Sequence, residues 1–153
     1  MIKIGIIDYG VGNIRSISNA LNSFDCETIL SDDKKVILGC DGLILPGVGA
    51  YKHGMDKLKS KNLIDVINEY VETSKPFLGI CLGMQMLFET SSEFGETNGL
   101  GLIEGDVKKL PSQDSIKLPF ISWSSIHQNK DLQWDGTILE NTKELSDFYH
   151  VHS

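Results

Sequence analysis

This chain has little of what a nucleic-acid binder, a membrane protein or a disulfide scaffold requires. Fourteen Lys and Arg face 21 Asp and Glu, for a net charge of −7, and no basic run occurs anywhere. Affinity for DNA or RNA rests largely on cationic neutralisation of phosphates, so that role is disfavoured. No apolar run approaches the roughly 18 residues that would argue a membrane span. The opening stretch, Met1-Ile2-Lys3-Ile4-Gly5-Ile6-Ile7-Asp8, lacks the long apolar region and small-residue cleavage site of a secretory signal. Cysteine is scarce: Cys26, Cys40 and Cys81 are an odd number with no CxxC spacing. That pattern indicates neither a disulfide framework nor a zinc knuckle, and a reducing cytoplasmic setting is expected. Internal repeats, low-complexity tracts and a convincing linker are all lacking. What remains is 153 residues, 41% hydrophobic, enough for one domain over 1–153 that buries about 70% of its extended-chain surface.

Along the first half, strand-like and helix-like stretches alternate. Ile2 to Ile7 is a nearly continuous β-branched run, as expected of a strand covered on both faces. After Gly10-Val11-Gly12, Asn13 can cap a helix whose apolar positions are Ile14, Ile17 and Leu21. A second strand is read over 26–30, and a third in Asp41-Gly42-Leu43-Ile44-Leu45, stopped by Pro46-Gly47. A helix over 63–71 carries Leu63, Ile67, Tyr70 and Val71 on one side, Pro76 to Ile80 reads as the next strand, and 84–89 as the next helix. This order predicts an α/β fold: a doubly wound, mostly parallel sheet flanked by helices. From Gly95 onward, glycines at 95, 99, 101 and 105 sit among short strand-like pieces. Strands are read over 120–126 and 148–152, so the second half is expected to add a mixed or antiparallel extension.

The stretch richest in chemistry is Phe77-Leu78-Gly79-Ile80-Cys81-Leu82-Gly83-Met84-Gln85. It sets Gly-x-Cys-x-Gly between an apolar strand and a helix, the nucleophile-elbow pattern with cysteine in the serine position. A nucleophile at so sharp a turn sits in strained backbone, and flanking glycines remove clashes around it. The turn aims the thiol at a helix N-terminus, where unpaired N–H groups and the helix dipole favour a thiolate. The N–H of Leu82 is placed to donate to an oxyanion, and Gln85, four residues on, projects from the same helix face. The bland alternative is a small buried cysteine among packing glycines; a redox-sensing thiol is a third reading.

Leu45-Pro46-Gly47-Val48-Gly49 also follows a strand and meets the sheet's carboxyl edge, where α/β folds bind ligands. Glycines at 47 and 49 let the intervening peptide turn an N–H toward developing negative charge. Asp8-Tyr9-Gly10-Val11-Gly12-Asn13-Ile14-Arg15 imitates a dinucleotide fingerprint, but Arg15 replaces the third glycine, so a plain turn feeding an Asn-capped helix is preferred.

Together, Gly79 to Gln85 and Pro46-Gly47-Val48-Gly49 resemble the class I (triad) glutamine amidotransferases. A fuller set is closer still to the glutaminase subunits of imidazole glycerol phosphate synthases: Asp8 to Asn13, then Gly99-Leu100-Gly101-Leu102-Ile103-Glu104-Gly105, Trp123, and His150-Val151-His152-Ser153. The resemblance implies that Cys81 attacks the carboxamide of L-glutamine, forms a glutamyl thioester and releases ammonia for a second reaction. It implies an oxyanion hole from the N–H groups of Leu82 and Val48, with Gly47 and Gly49 shaping the loop. Gln85 and Glu93 would hold the amino-acid head group, and His152 and Ser153 would begin the segment lining the glutamine pocket. No cofactor and no metal is expected, and the resemblance implies a heterodimer with a (β/α)₈ cyclase that makes imidazole glycerol phosphate in histidine biosynthesis.

Two departures stand out. The family has Pro-His-x-Gly-Trp-Asn where this chain has Pro119-Phe120-Ile121-Ser122-Trp123-Ser124. That stretch resembles part of the partner-facing surface, so an enzyme of surface-glycan synthesis is an alternative ammonia acceptor. The family's base and its orienting acid come from a His-Pro-Glu motif downstream of the His-Ser strand, and none occurs in these 153 residues. His53, His127, His150 and His152 are the only histidines, and none has a Glu two residues later. His150 and His152 share a strand face, yet no further His or Cys is near in sequence, so they read as ordinary imidazoles rather than metal ligands. The chain alone is therefore expected to be nearly inactive and poorly stable, or else a catalytically dead scaffold.

Overall fold

The structure, a computed structural model, describes residues 1–111, 118–129 and 133–153. It divides into two compact units, Met1–Lys108 and Lys109–Ser153. In the first unit the order is β1 (Ile2–Ile7), α1 (Ile14–Leu21), β2 (Cys26–Ser31), α2 (Lys34–Leu38), β3 (Gly42–Leu45), α3 (Tyr51–Ser60), α4 (Leu63–Glu72), β4 (Phe77–Gly79), α5 (Leu82–Gln85), β5 (Phe88–Ser91), β6 (Thr97–Asn98) and β7 (Ile103–Val107). The second unit holds β8 (Phe120–Ser125) and β9 (Asp147–His152).

Strands β2, β1, β3 and β4 form, in that order, one parallel sheet flanked by helices. Burial explains the absence of alternation in its central strands: β3 is buried at all four residues and β1 at its last three. The order also puts β1 beside β3 and β3 beside β4, with Leu45 in register with Gly79. The turns leaving their carboxyl ends are therefore neighbours.

The core gathers Ile7, Tyr9, Leu43, Leu45, Leu58, Ile67, Tyr70, Leu82 and Met86, with α4 contributing Leu63, Val66, Ile67 and Tyr70 from one face. Two helices start on side-chain caps. Asn13 Oδ1 accepts from the Ser16 N–H at 3.3 Å, as expected, and Asp33 Oδ1 accepts from the Lys35 and Val36 N–H groups at 2.8 and 3.1 Å. Helix α2 is only five residues long, too short for a periodic signal, and its Asp33 cap is the one feature of the sequence that announces it.

The helix expected over 84–89 is not there. Helix α5 ends at Gln85, and Phe88 begins β5, which pairs antiparallel with β6 (Thr90 opposite Asn98) and parallel with β7 (Phe88 opposite Ile103). Met86 and Leu87 are 0% and 8% exposed; burying both draws the chain into the core and ends the helix after one turn. A short apolar run fits either period, so spacing alone could not separate the two outcomes. The second, three-stranded sheet (β6-β5-β7) and the antiparallel β8–β9 pair supply the mixed extension expected of the second half. Among the described residues, no helix is long and apolar enough to cross a membrane.

Three tyrosines lie inside the first unit: Tyr9, Tyr51 and Tyr70 are 0%, 1% and 0% exposed. Burial is the main cause that pushes all three phenols above their ordinary value, with Tyr70 at about 12. A phenol whose folded value is raised leaves stability intact below the unfolded value near 10 and withdraws it as pH climbs toward the folded one. We therefore expect stability to urea to fall progressively between pH 10 and about 12. In absorbance titrations at about 295 nm, these three phenolates should appear only with cooperative unfolding; their smooth ionisation in the folded protein would contradict the burial.

Candidate active site

Cys81 sits between β4 and α5 with φ 55° and ψ −116°, and its side chain is exposed. A non-glycine residue in that region costs about 1–3 kcal/mol, and it persists only where its surroundings over-determine it. Here they do. The Ile80 N–H donates to the Leu45 carbonyl at 3.0 Å and the Gly83 N–H to the Ile80 carbonyl at 2.9 Å, pinning both sides of the elbow. A Cβ on Gly79 would lie 2.6 Å from Met84 Cα, and one on Gly83 would fall onto the Leu45 carbonyl oxygen. Both elbow glycines are thus demanded by backbone packing, and the thiol faces outward. A buried structural cysteine would look like Cys40 instead, which is 1% exposed with its Sγ 3.3 Å from the Val36 carbonyl.

The loop after β3 packs directly on the elbow. A Cβ on Gly47 would be 2.5 Å from the Gly83 nitrogen and 2.7 Å from Leu82 Cβ. Gly47 is buried, whereas Val48 is 50% exposed and Gly49 takes φ +90°. The peptides around Val48 are thus carried beside the first turn of α5, where N–H groups lack intrahelical acceptors. Leu82 is buried as the first residue of that turn. Gln85, half-buried, closes the turn by donating its N–H to the Cys81 carbonyl at 3.1 Å. Because α5 is a single turn, any help to a thiolate comes from these local N–H groups rather than from a long helix dipole.

Glu93 belongs to the same neighbourhood through a contact that spacing did not suggest. Its carboxylate accepts the Tyr51 N–H at 2.7 Å, at the start of α3, whose N-cap residue Ala50 makes no side-chain cap. The Glu93 N–H in turn donates to Ser91 Oγ at 3.2 Å; Ser91 is 1% exposed. Tyr9, 0% exposed, donates its hydroxyl to the Pro46 carbonyl at 2.6 Å. Sequence reasoning passed over Tyr9 and Tyr51 as functional residues. The signal for Tyr9 was its place in the glycine turn after β1, whose relevance depends on β1 being the neighbour of β3.

His152 and Ser153 lie in the second unit, at and just past the end of β9, and both are exposed. The His152 ring is 5.2 Å from that of Phe120 and 6.0 Å from that of His150. His150 Nε2 is buried without a hydrogen-bond partner. Across β8 and β9, Trp123 faces Tyr149 with ring centroids 5.6 Å apart, and Ile121, Trp123, Tyr149 and Val151 are each more than half exposed. Among the described residues, no group of three His, Cys, Asp or Glu could hold a metal ion.

An outward cysteine on a strained strand-to-helix turn, braced by a glycine loop from the adjacent strand, is the arrangement that a nucleophile elbow calls for. The family model "Glutamine amidotransferase class-I" matches residues 5–153, and the chain belongs to that family. Among curated proteins, it is 45% identical over 151 residues to "Imidazole glycerol phosphate synthase subunit HisH" of Bacillus cereus, covering 98% of this chain and 69% of that protein. The HisH of Aquifex aeolicus is 46% identical over 149 residues, covering 97% and 69%. HisH 1 of Legionella pneumophila (strain Lens) is 42% identical over 158 residues, covering 100% and 74%. A solved glutamine amidotransferase superposes with TM-score 0.69 at 19% identity, over 97% of this chain and 69% of that one. A putative peptidase E of Listeria monocytogenes does so with TM-score 0.53 at 14% identity, over 66% and 62%. At these identities, the two solved structures speak for the fold alone.

The elbow packing is open to a direct test. Gly83→Ala should destabilise the protein by about 3 kcal/mol, at the top of the usual overpacking range, since the methyl group meets a backbone carbonyl that cannot step aside. Urea denaturation gives the value, and a loss below about 1 kcal/mol would mean the elbow is looser than described.

Proposed function

We propose that this chain is the glutamine-hydrolysing subunit of an amidotransferase, supplying ammonia to a synthase that forms imidazole glycerol phosphate. The observation that carries the reading is Cys81 itself, exposed at positive φ and braced by the loop that bears Val48. In the proposed reaction, the Cys81 thiolate adds to the side-chain carboxamide carbon of glutamine. The carbonyl electron pair moves to oxygen, where the N–H groups of Leu82 and Val48 receive it. Collapse expels the nitrogen, which takes up a proton and leaves as ammonia. Water then cleaves the γ-glutamyl thioester, giving glutamate and restoring the thiol. Gln85 and the second Glu93 oxygen are assigned to the substrate's head group.

The reading extends to a partner. Ile121, Trp123, Tyr149 and Val151 make an apolar face on the β8–β9 pair, suited to the (β/α)₈ subunit of a cytoplasmic heterodimer. The departure of Pro119-Phe120-Ile121-Ser122-Trp123-Ser124 from the family pattern favours keeping a sugar-modifying enzyme as a second acceptor.

The first test is covalent. With 6-diazo-5-oxo-L-norleucine, a glutamine analogue, Cys81 should be labelled once per chain and L-glutamine should protect it. Labelling of Cys26 or Cys40 instead, or no protection by glutamine, would refute the reading. The second test is turnover. A polypeptide of these 153 residues contains no His-Pro-Glu, so its thiol must ionise without that base. Ammonia release should be about 10²–10⁴-fold slower than from a chain that carries the motif. Equal rates would show that the base lies elsewhere.

A further inference from the structure

The glycine turn 8–13 is left without a role by the chemistry above, yet it abuts the oxyanion loop. Tyr9, just past β1, is 0% exposed, and its hydroxyl reaches the Pro46 carbonyl at 2.6 Å. Three residues on, Gly12 takes φ +127°, and a Cβ there would lie 2.8 Å from Pro46 Cβ. From the opposite side, a Cβ on Gly83 would be 3.0 Å from the Pro46 oxygen. Pro46 is thus wedged between the 8–13 turn and the elbow. At its far end the same loop is tied by Glu93, through the Tyr51 N–H at 2.7 Å. Between these ties, Val48 and Gly49 are exposed, so the segment whose N–H must meet an oxyanion is short, glycine-flanked and anchored at both ends.

We propose that Tyr9 is a positioning residue of the oxyanion loop: its buried hydroxyl fixes the Pro46–Gly47 peptide and thereby the direction of the Val48 N–H. The inference rests on the glutamine-hydrolysis reading above. The Gly47 torsions lie between that peptide and the Val48 N–H, and the close packing of Gly47 on Gly83 and Leu82 restrains them once the Pro46 end is held. Without a fixed carbonyl at Pro46, the Val48 N–H would sample orientations in which it donates nothing to the developing charge. A hydrogen bond inside the core, to a phenol that burial keeps protonated, is suited to that task. The turn that imitates a dinucleotide fingerprint then has a use that involves no nucleotide: it seats the proline on which the loop turns.

The test compares wild type with Tyr9→Phe, which keeps the ring and removes only the hydroxyl. Capture of Cys81 by 6-diazo-5-oxo-L-norleucine gives a maximal rate and a half-saturating concentration, and iodoacetamide reports thiol access without using the oxyanion hole. Tyr9→Phe should lower the maximal capture rate by about tenfold, less than the 10²–10³ lost when an oxyanion donor is deleted outright. The half-saturating concentration and the iodoacetamide rate should each stay within about twofold of wild type. If the capture rate is unchanged while only the melting temperature drops, Tyr9 is structural and the inference is overturned. An equal fall in the iodoacetamide rate would also overturn it, because the elbow itself would have moved. Should the wild-type thiol react with iodoacetamide but not with the glutamine analogue, the functional reading fails first and the inference falls with it.

Discussion

The contact between Gly83 and the carbonyl end of β3 is the constraint from which the rest of the site follows. There is no room for a side chain at 83, because the Leu45 carbonyl occupies that space. The Ile80 N–H donates to that same carbonyl at 3.0 Å. One acceptor therefore holds the last residue before Cys81, while its bulk presses on the second residue after it. Cys81, between them, is forced to positive φ and turned outward. Loosening this packing would let the backbone relax by about 1–3 kcal/mol and would remove the geometry that presents the thiol outward on a strained turn.

Strand order turns that local constraint into a site. β3 runs between β1 and β4, so three turns from distant parts of the chain meet at one sheet edge: 8–13, 46–50 and 80–82. Each meets its neighbour closely over a glycine, at Gly12 against the Pro46 ring and at Gly47 against Leu82 and Gly83. Side chains then fasten the loop ends, with Tyr9 on the Pro46 carbonyl and Glu93 on the Tyr51 N–H. Backbone amides offered to an oxyanion work because they do not have to reorganise as charge develops. A loop braced on both sides is how this chain would keep them still.

Much of this is legible in the sequence. The strand at 2–7, the Asn13 cap, the amphipathic helix beginning at Leu63 and the elbow itself are written in local pattern, where β-branched runs, a capping side chain and paired glycines carry their own physics. The stretch after Gln85 was not legible. Met86, Leu87 and Phe88 suit a buried helix as well as a turn into a strand, and the core decided by burying the first two. Asp33 capping a five-residue helix was equally faint, since so short an element has no period to detect.

The turn at 8–13 marks the boundary most clearly. In the sequence it is a near-miss of a nucleotide motif, and local reasoning could say only that it is a turn. Its partner, Pro46, lies more than thirty residues away, and the two meet only because the strands before them are paired. Residue chemistry and spacing determined that Cys81 would stand on an elbow and that glycines would surround it, because sterics at a sharp turn admit little else. Only the tertiary structure decided which buried hydroxyl and which carboxylate hold the facing loop, because those bonds join segments that nothing but the sheet's strand order brings together.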